Sequence, residues 1–99
     1  MHARMSTLEG SPEELDEGLR DIEERVLPLL RREEGFEGFL ALANRHSGEL
    51  IGITCWESEQ AMQASEEVGL RARSETAEDT GEEIEGVERY EVGLFEMSD

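Results

Sequence analysis

Residues 35 to 57 read as two apolar strands joined by a tight polar turn, and this hairpin constrains the fold more than any other segment. Each strand offers bulky side chains to both faces of a sheet: Leu40 and Leu42 against Phe39 and Ala41, then Ile51 and Ile53 against Leu50 and Thr54. A sheet with one wet face would instead alternate apolar and charged residues. Because two helices can cover only one face, we expect a homodimer that closes sheet against sheet.

The first part of the chain predicts a short strand and an amphipathic helix. The strand covers residues 4–9 and ends at Gly10. Ser11, Pro12 and Glu14 are typical of a helix N-terminus with a capping box. The helix should end before Gly35 and kink at Pro28, which removes a backbone donor. Its apolar face is predicted to comprise Leu15, Leu19, Ile22, Val26 and Leu29 or Leu30.

The last part of the chain gives weaker signals. Ser58 should cap a second helix whose small apolar face comprises Ala61, Met62, Ser65, Val68 and Ala72. From about Arg73 to Gly86 acidic residues crowd and apolar residues are sparse, which predicts a frayed helix end and a loop. Residues 87–97 predict a closing strand, with Tyr90, Val92 and Leu94 on one face.

The order of these elements is strand, helix, strand, strand, helix, strand. This is the α+β, ferredoxin-like βαββαβ pattern, with a four-stranded antiparallel sheet and two helices on one face. With 99 residues, the chain is expected to be a single domain, residues 1–99. A chain of this length buries a small core, so apolar contact across a dimer would add to its stability.

The net charge of −17 arises from 26 acidic residues against nine basic ones, all of them arginine. Such an acidic chain is not expected to bind nucleic acid. No apolar run is long enough to span a membrane and no secretory signal is present, so we expect a cytoplasmic protein without a membrane partner. Cys55 is the single cysteine and is expected to be a buried, inert thiol.

Three stretches of the chain resemble the dimeric α+β barrel superfamily, and in particular proteins similar to antibiotic-biosynthesis monooxygenases. They are Pro28 with residues 35–39, then Trp56-Glu57-Ser58 before a helix, and residues 87–92. The resemblance implies a homodimer with sheets packed face to face, and a pocket between each sheet and its own helices. Members of this superfamily differ in activity: some oxidise aromatic polyketides without a cofactor, some degrade haem, some isomerise lactones, and many have no established reaction.

The resemblance also implies what the pocket holds. The haem-degrading branch carries an asparagine in the first strand, then a tryptophan in the second helix and a histidine beyond it. Here Arg4 and Ser6 lie in the first strand, and Ser65 and Glu75 stand near the other two positions. Haem is therefore not expected, and we predict no cofactor. With no metal-ligand spacing around either histidine, we predict no metal either.

The cofactor-free oxygenase branch uses asparagine, tryptophan and arginine near its pocket, so the candidate catalytic residues are Trp56, Asn44 and Arg89. Each has a structural alternative. Trp56 could simply pack at a strand end. Asn44, Arg45 and His46 lie where the hairpin turn needs turn-tolerant residues. Arg89 could form an ion pair across the dimer.

Three functions therefore remain open from the sequence. The first is a homodimeric protein that binds a small hydrophobic or aromatic ligand. The second is a cofactor-independent monooxygenase acting on a planar aromatic substrate, and the third is a structural dimer without a ligand. A pocket lined by Trp56 and at least two convergent polar groups would favour the enzyme. An apolar pocket would favour the binding protein, and a space filled by side chains would favour the structural dimer.

Replacing Phe39 or Ile53 with a charged residue is expected to disrupt the dimer and the fold together.

Overall fold

The protein has a four-stranded antiparallel sheet with helices packed on one face. The architecture comes from a computed structural model that describes residues 1–98. Its strands are β1 (His2–Glu9), β2 (Phe36–Ala43), β3 (Glu49–Trp56) and β4 (Glu83–Glu91). Its α-helices are α1 (Leu15–Asp21), α2 (Leu27–Leu30), α3 (Glu59–Ala64) and α4 (Glu66–Thr80). The ferredoxin-like α+β fold expected from the sequence is confirmed.

The strands lie in the order β2-β3-β1-β4, so β1 and β3 form the centre of the sheet. β1 pairs antiparallel with both β3 and β4, and the register sets Arg4 opposite Thr54 on β3 and Arg89 on β4. Side chains of directly opposed residues emerge on the same face of a sheet. These three side chains therefore share the face that carries the helices.

The turn between β2 and β3 has the local chemistry that its residues predict. The Asn44 side-chain oxygen accepts hydrogen bonds from the backbone N–H groups of His46 and Ser47, at 3.0 and 3.2 Å. Gly48 has φ 86°, a left-handed conformation that glycine adopts at little cost. These bonds fix the two-strand hairpin predicted for residues 35–57.

The first helical segment, residues 12–30, joins a 3₁₀ turn (Pro12–Glu14), α1, a π-helical turn (Ile22–Val26) and α2. The Glu14 carboxylate accepts a 2.6 Å hydrogen bond from the Ser11 backbone N–H, as predicted for a capping box. The π-helical turn comes just before Pro28, where the missing N–H and the ring disturb α-helical hydrogen bonding. The predicted apolar face is buried at Leu15, Ile22, Val26 and Leu30.

The second helical segment, residues 59–80, is longer than predicted. The Ser58 hydroxyl caps α3 by accepting a hydrogen bond from the Ala61 N–H, and α4 follows after a bend at Ser65. The prediction of a frayed end and a loop from about Arg73 is wrong, because α4 continues to Thr80 and is closed by a left-handed Gly81. The buried face of α4 consists of small residues, which give little apolar periodicity: Gly69, Ala72, Thr76 and Thr80.

The last strand also differs from its prediction, because β4 covers Glu83–Glu91 rather than residues 87–97. The register explains where it ends. Glu91 lies opposite His2, the first residue of β1, and the Val92 N–H makes one more bond, to the Met1 carbonyl, at 2.9 Å. Beyond that point β1 offers no further partner. Residues 92–98 have no regular secondary structure, and Leu94 in this stretch is 91% exposed.

The two faces of the sheet carry different side chains. The inner face, which packs on the helices, buries Arg4, Leu8, Leu50 and Trp56. The outer face follows from strand alternation and leaves bulky apolar side chains in solvent, with Leu40 54%, Leu42 46% and Tyr90 50% exposed.

Within residues 1–98, none of the helices combines the length and apolar character needed to cross a membrane.

Candidate functional site

A cavity of about 50 Å³ lies between the inner face of the sheet and both helical segments; we call it the inner cavity. Its sheet side is formed by Arg4, Ser6, Leu8, Phe39, Gly52 and Thr54. Its helix side is formed by Ile22, Val26, Leu30, Gly69, Ala72, Arg73 and Thr76. A water molecule needs roughly 10–15 Å³ on this measure, so the inner cavity has room for more than one water or for part of a small organic molecule.

Arg4 is buried at the rim of the inner cavity, with 1% of its surface exposed. Its guanidinium donates to the Glu66 carboxylate at 2.6 Å, to the Ser65 hydroxyl at 3.0 Å and to the Met62 carbonyl at 3.3 Å. It also lies 5.6 Å from the centre of the Trp56 ring, within cation–π range. These contacts fix the guanidinium against the bend between α3 and α4, and they compensate for burying its charge.

Glu66 is shared by two arginines. Arg4 bonds to one of its carboxylate oxygens and Arg89, from the edge strand β4, bonds to the other. Burial opposes ionisation of Glu66, but the hydrogen bonds from Arg89 and Arg4 outweigh it and hold the pKa of this carboxyl below its usual value. Glu66 is therefore an ionised carboxylate whose two oxygens are both engaged.

Arg73 is a third arginine beside the inner cavity, and unlike Arg4 and Arg89 it makes no hydrogen bond to a carboxylate within residues 1–98. It projects from α4 and its NH1 lies 3.4 Å from the Ser6 hydroxyl. Its Nε is buried and, among residues 1–98, has no hydrogen-bond partner. Burial and repulsion from Arg4 lower the pKa of Arg73 from its usual value. One carboxylate thus faces three guanidinium groups, in a protein whose net charge is −17.

Two glycines allow the arginines and the inner cavity to coexist. A Cβ atom at Gly69 would lie 2.9 Å from NH2 of Arg4 and 3.2 Å from NH1 of Arg73, so a side chain there would displace these groups. A Cβ at Gly52 would lie 3.3 Å from the Phe39 ring. The glycines on α4 and β3 therefore leave space that larger residues would fill.

Trp56 is completely buried, and its indole N–H donates to the Thr54 hydroxyl at 2.9 Å. Its ring packs edge-on against Phe36, with ring centres 5.4 Å apart. Trp56 contacts both Thr54 and Arg4, and these two residues do line the inner cavity. Trp56 therefore supports the cavity wall from behind and does not itself line the cavity.

The other two candidates lie elsewhere. Asn44 is exposed in the β2–β3 turn, where its side chain bonds to the backbone. Arg89 borders an open groove of about 470 Å³ with His2, Met62 and Tyr90. Its ion pair is with Glu66 of its own chain. The structure thus does not bring Trp56, Asn44 and Arg89 together, although Arg89 reaches the inner cavity indirectly through Glu66.

The sequence reasoning missed Arg73, and it treated Arg4 only as a mismatch to an asparagine. A signal for both was present. Arg4, Ser6 and Leu8 alternate with residues of the outer face, which sets an arginine on the core side of a strand. Gly69, Ala72, Arg73 and Thr76 recur at spacings of three and one, as one helical face does. This pattern continues through Thr80 to Gly81, a typical C-terminal cap.

A group of three carboxylates lies at the Glu9 end of β1 and could hold a cation: Glu9, Glu49 and Glu85. A hydrogen bond to Glu9 and repulsion from it raise the pKa of Glu85. Glu9 and Glu85 are exposed, and the three groups lie apart from the inner cavity. Exposed acidic clusters are common on a surface this acidic.

The fold and the inner cavity together define a class: ferredoxin-like α+β proteins with a pocket between one sheet face and its helices. Residues 1–69 match the sequence profile of the family described as antibiotic biosynthesis monooxygenase, so the chain belongs to this family. The resemblance stated from the sequence is confirmed.

One relative and two solved structures illustrate this similarity. The chain is 33% identical over 95 residues to the uncharacterized protein Rv2557 of Mycobacterium tuberculosis, covering 96% of this chain and 42% of that one. The chain thus spans less than half the length of the curated relatives it matches.

The fold matches the monooxygenase ActVA-Orf6 of Streptomyces coelicolor in complex with nanaomycin D, with TM-score 0.68, 18% identity and coverage of 98% and 92% of the two chains. It also matches a dimeric ferredoxin-like protein from an uncultured marine organism, with TM-score 0.69, 14% identity and coverage of 99% and 100%. At these identities the two structures show a shared fold.

Proposed function

We propose that this protein is a homodimeric member of the family that binds a small hydrophobic or aromatic molecule in the inner cavity. The observation that carries the proposal is an apolar space on which several polar groups converge. Ile22, Val26 and Leu30 supply its apolar wall, while Ser6 and Arg73 reach it from opposite layers. Ligand sites commonly combine an apolar enclosure with a few polar groups that fix orientation.

The polar groups at the inner cavity support binding rather than packing alone. A core built for stability would fill the space and leave no arginine beside it. Here Gly52, Gly69 and Ala72 keep the space open, and contacts from α3, α4 and β3 hold Arg4 at its rim. The complex of ActVA-Orf6 with nanaomycin D shows that a protein of this fold can carry a small ligand, which supports the proposal.

The first experiment is native mass spectrometry of the protein as purified, because one spectrum reports the oligomer and any retained ligand. A dimer carrying extra mass is expected. Ala72→Leu, which adds bulk at the inner cavity, should lose that mass, and Ala64→Leu on the exposed side of α3 should keep it. A dimer without extra mass, also after exposure to candidate ligands, would favour the structural dimer instead. A monomer would contradict the homodimer.

The homodimer rests on the outer face of the sheet. Leu40, Leu42 and Tyr90 are about half exposed there, and Ile53 and Ile51 lie directly opposite Leu40 and Leu42 on β3. Exposed apolar patches of this kind mark interaction surfaces, and a second copy of the same face would cover it with twofold symmetry. The dimeric ferredoxin-like protein with the same fold supports this arrangement.

Charge substitution tests the dimer, and the structure refines the prediction made for Phe39 and Ile53. Phe39 packs against the core, whereas Ile53 lies on the outer face, so only Ile53→Arg targets the interface directly. We expect Ile53→Arg to lower the dimer fraction in sedimentation velocity and to destabilise the fold with it. Glu67→Arg, an exposed change on α4, is the control. A dimer that survived Ile53→Arg would contradict the interface.

A second candidate function is a cofactor-independent monooxygenase acting on a planar aromatic substrate. The specific observation in its favour is the excess of guanidinium groups at the inner cavity, because preorganised positive charge stabilises a developing oxyanion. Arg73 would face the oxyanion. Trp56 and Arg89 would act as positioning residues, through Thr54 and Glu66 respectively. Asn44 would contribute from the turn only if the hairpin moved.

Oxygen uptake with 1-naphthol tests this second function. The reaction would consume one O2, place one oxygen atom on the ring as a quinone carbonyl and release the other as water. Arg73→Gln should reduce the rate by roughly a hundredfold if its charge stabilises the oxyanion. Arg71→Gln, an exposed change on the same helix, should leave it unaltered. No uptake above the protein-free rate would count against the enzyme and leave the binding function in place.

A further inference from the structure

Arg73 is half buried beside the inner cavity, and its surroundings do not balance its charge. The contrast with Arg25 is informative. Arg25 bonds to Asp21, Glu75, the Thr76 hydroxyl and the Ala72 carbonyl. Among residues 1–98, Arg73 has a single long contact to the Ser6 hydroxyl, and its Nε is buried without a partner. Arg25 of the first helical segment therefore has its donors satisfied, whereas Arg73 of α4 does not.

The positive charge at Arg73 is only partly offset by its neighbours, because the attraction of Glu66 is outweighed by burial and by repulsion from Arg4. Arg4 approaches the same point over Gly69, and both oxygens of Glu66 are engaged by Arg4 and Arg89. The protein has 26 acidic residues, so carboxylates are abundant, yet within residues 1–98 none forms an ion pair with Arg73 at 4.0 Å or less. An unpaired guanidinium beside a cavity is a site prepared for an anion that arrives from outside.

We propose that the ligand of the inner cavity is a small organic anion, a carboxylate on an apolar body, held through its carboxylate by Arg73. This inference rests on the proposed binding function and specifies its ligand class. A guanidinium offers two parallel N–H donors that match the two oxygens of a carboxylate. The Ser6 hydroxyl lies beside it as a further donor. Ile22, Val26 and Leu30 form the apolar wall that would face the body of the molecule.

A matched pair of probes separates charge from shape. Benzoate and benzamide have the same ring and nearly the same size, and only benzoate is an anion at neutral pH. In nuclear magnetic resonance titrations of the intact protein, benzoate should shift the backbone signals of Ser6, Gly69 and Arg73. Benzamide should bind at least about tenfold more weakly, since a hydrogen bond between charged groups is stronger than one to a neutral amide.

Arg73→Gln and Arg71→Gln form the matched pair of variants. Both remove one positive charge from α4, but Arg71 is exposed and Arg73 is half buried. Arg73→Gln should lose about tenfold or more in affinity for benzoate, and Arg71→Gln should bind as the parent does. Without ligand, Arg73→Gln should also melt at a higher temperature than Arg71→Gln, because it removes the unpaired charge beside Arg4. A merely structural arginine would give the opposite order.

The possible results separate the inference from the function beneath it. Equal binding of benzoate and benzamide would overturn the anion inference and leave the binding function standing. No shift with either probe would count against both. If Arg73→Gln fails to fold, the comparison of the two probes on the parent protein still decides. Unchanged benzoate affinity in folded Arg73→Gln would exclude Arg73 as the anion's partner.

Discussion

The two helical segments cover the same sheet face in different ways. The first segment contributes large aliphatic side chains, and Leu15 and Leu30 are at most 1% exposed. The second segment contributes one large apolar side chain, Met62 of α3, while α4 contributes mainly small residues together with Arg73 and the carboxylate of Glu66. Large side chains fill space by themselves, whereas small ones bring backbones together and leave gaps between them. The wall of the inner cavity is accordingly aliphatic where the first segment forms it, and small or charged where α4 forms it.

This difference separates two roles within one small core. Burial of aliphatic surface in the first segment stabilises the fold at roughly 25 cal/mol per Å². The second segment gives up part of that stabilisation, because it buries guanidinium groups and keeps a space unfilled. Sites of function are commonly less stable than the scaffold that holds them. Mutations in the two segments should therefore lower the free energy of unfolding by different amounts.

The largest expected effect tests the first segment. Leu15→Ala should lower the free energy of unfolding by about 2–5 kcal/mol, because Leu15 is fully buried and its loss leaves a cavity. Leu70→Ala on α4 removes the same atoms from a side chain that is 57% exposed and should cost little. Urea denaturation at constant m-value measures both. Similar costs for the two variants would mean that the segments do not differ as described.

The next effect tests whether α4 needs its small residues. Gly69→Ala should destabilise the protein by about 1 kcal/mol, since displacing Arg4 is expected to cost more than the helix propensity gained. Ser74→Ala, at an exposed position of α4, isolates the propensity term and should be neutral or stabilising. A more stable Gly69→Ala variant would show that the guanidinium of Arg4 has room to move, which would weaken the argument for a close fit.

Glu82 lies where the two helical segments meet, and its substitution tests how burial of its carboxyl affects stability. It follows the Gly81 cap and is 3% exposed, and a Cβ at Gly18 of α1 would lie 2.7 Å from its Oε1. Burial raises the pKa of Glu82 in the folded state. Protonated Glu82 therefore favours the folded state at low pH, and this stabilisation is lost as the pH rises through the folded-state pKa. Glu82→Gln should therefore increase the free energy of unfolding at pH 8 by about 1 kcal/mol, which a higher melting temperature would report. At pH 4 the substitution should have little effect. A loss of stability at pH 8 would contradict this sign.

The smallest expected effect compares two carboxylates of the first segment. A hydrogen bond from Arg25 lowers the pKa of Asp21, and the same arginine reaches Glu75 on α4. Stability from Asp21 is present above its unfolded pKa and lost as pH falls through the folded value. Asp21→Asn should cost at most about 1 kcal/mol at pH 7, and that cost should vanish near pH 2. Asp16, which pairs with Arg45 in solvent, should show a smaller change on replacement by Asn.

The parts of the fold that the sequence predicts well are those that local chemistry determines. Three features depend on residues within a few positions of one another. They are the turn at Asn44, the helix caps at Ser11 and Ser58, and the aliphatic face from Leu15 to Leu30. The ends of β4 depend on the register with β1, more than seventy residues away in the chain. Local patterns carry no information about such a pairing.

The candidate site follows the same division. Trp56 and Asn44 were chosen because their residue types suit a pocket, but their neighbours in space determine what they contact. Arg73 was overlooked because the end of α4 was predicted too early, and its importance depends on Arg4 from the far end of the chain. An unbalanced charge is a property of several elements together, and it becomes visible only when they are assembled.

The central position of β1 has a consequence for the order of folding. β1 pairs with β3 and β4, both distant in sequence, so closing the sheet requires long loops to form before many native contacts do. Folding through such non-local pairings is slower than folding through local helical contacts. During synthesis, β1 can pair with the β2–β3 hairpin while β4 is still absent, which leaves one edge of the strand bearing Arg4 open. The charged site is therefore completed late, once α4 and β4 have been made.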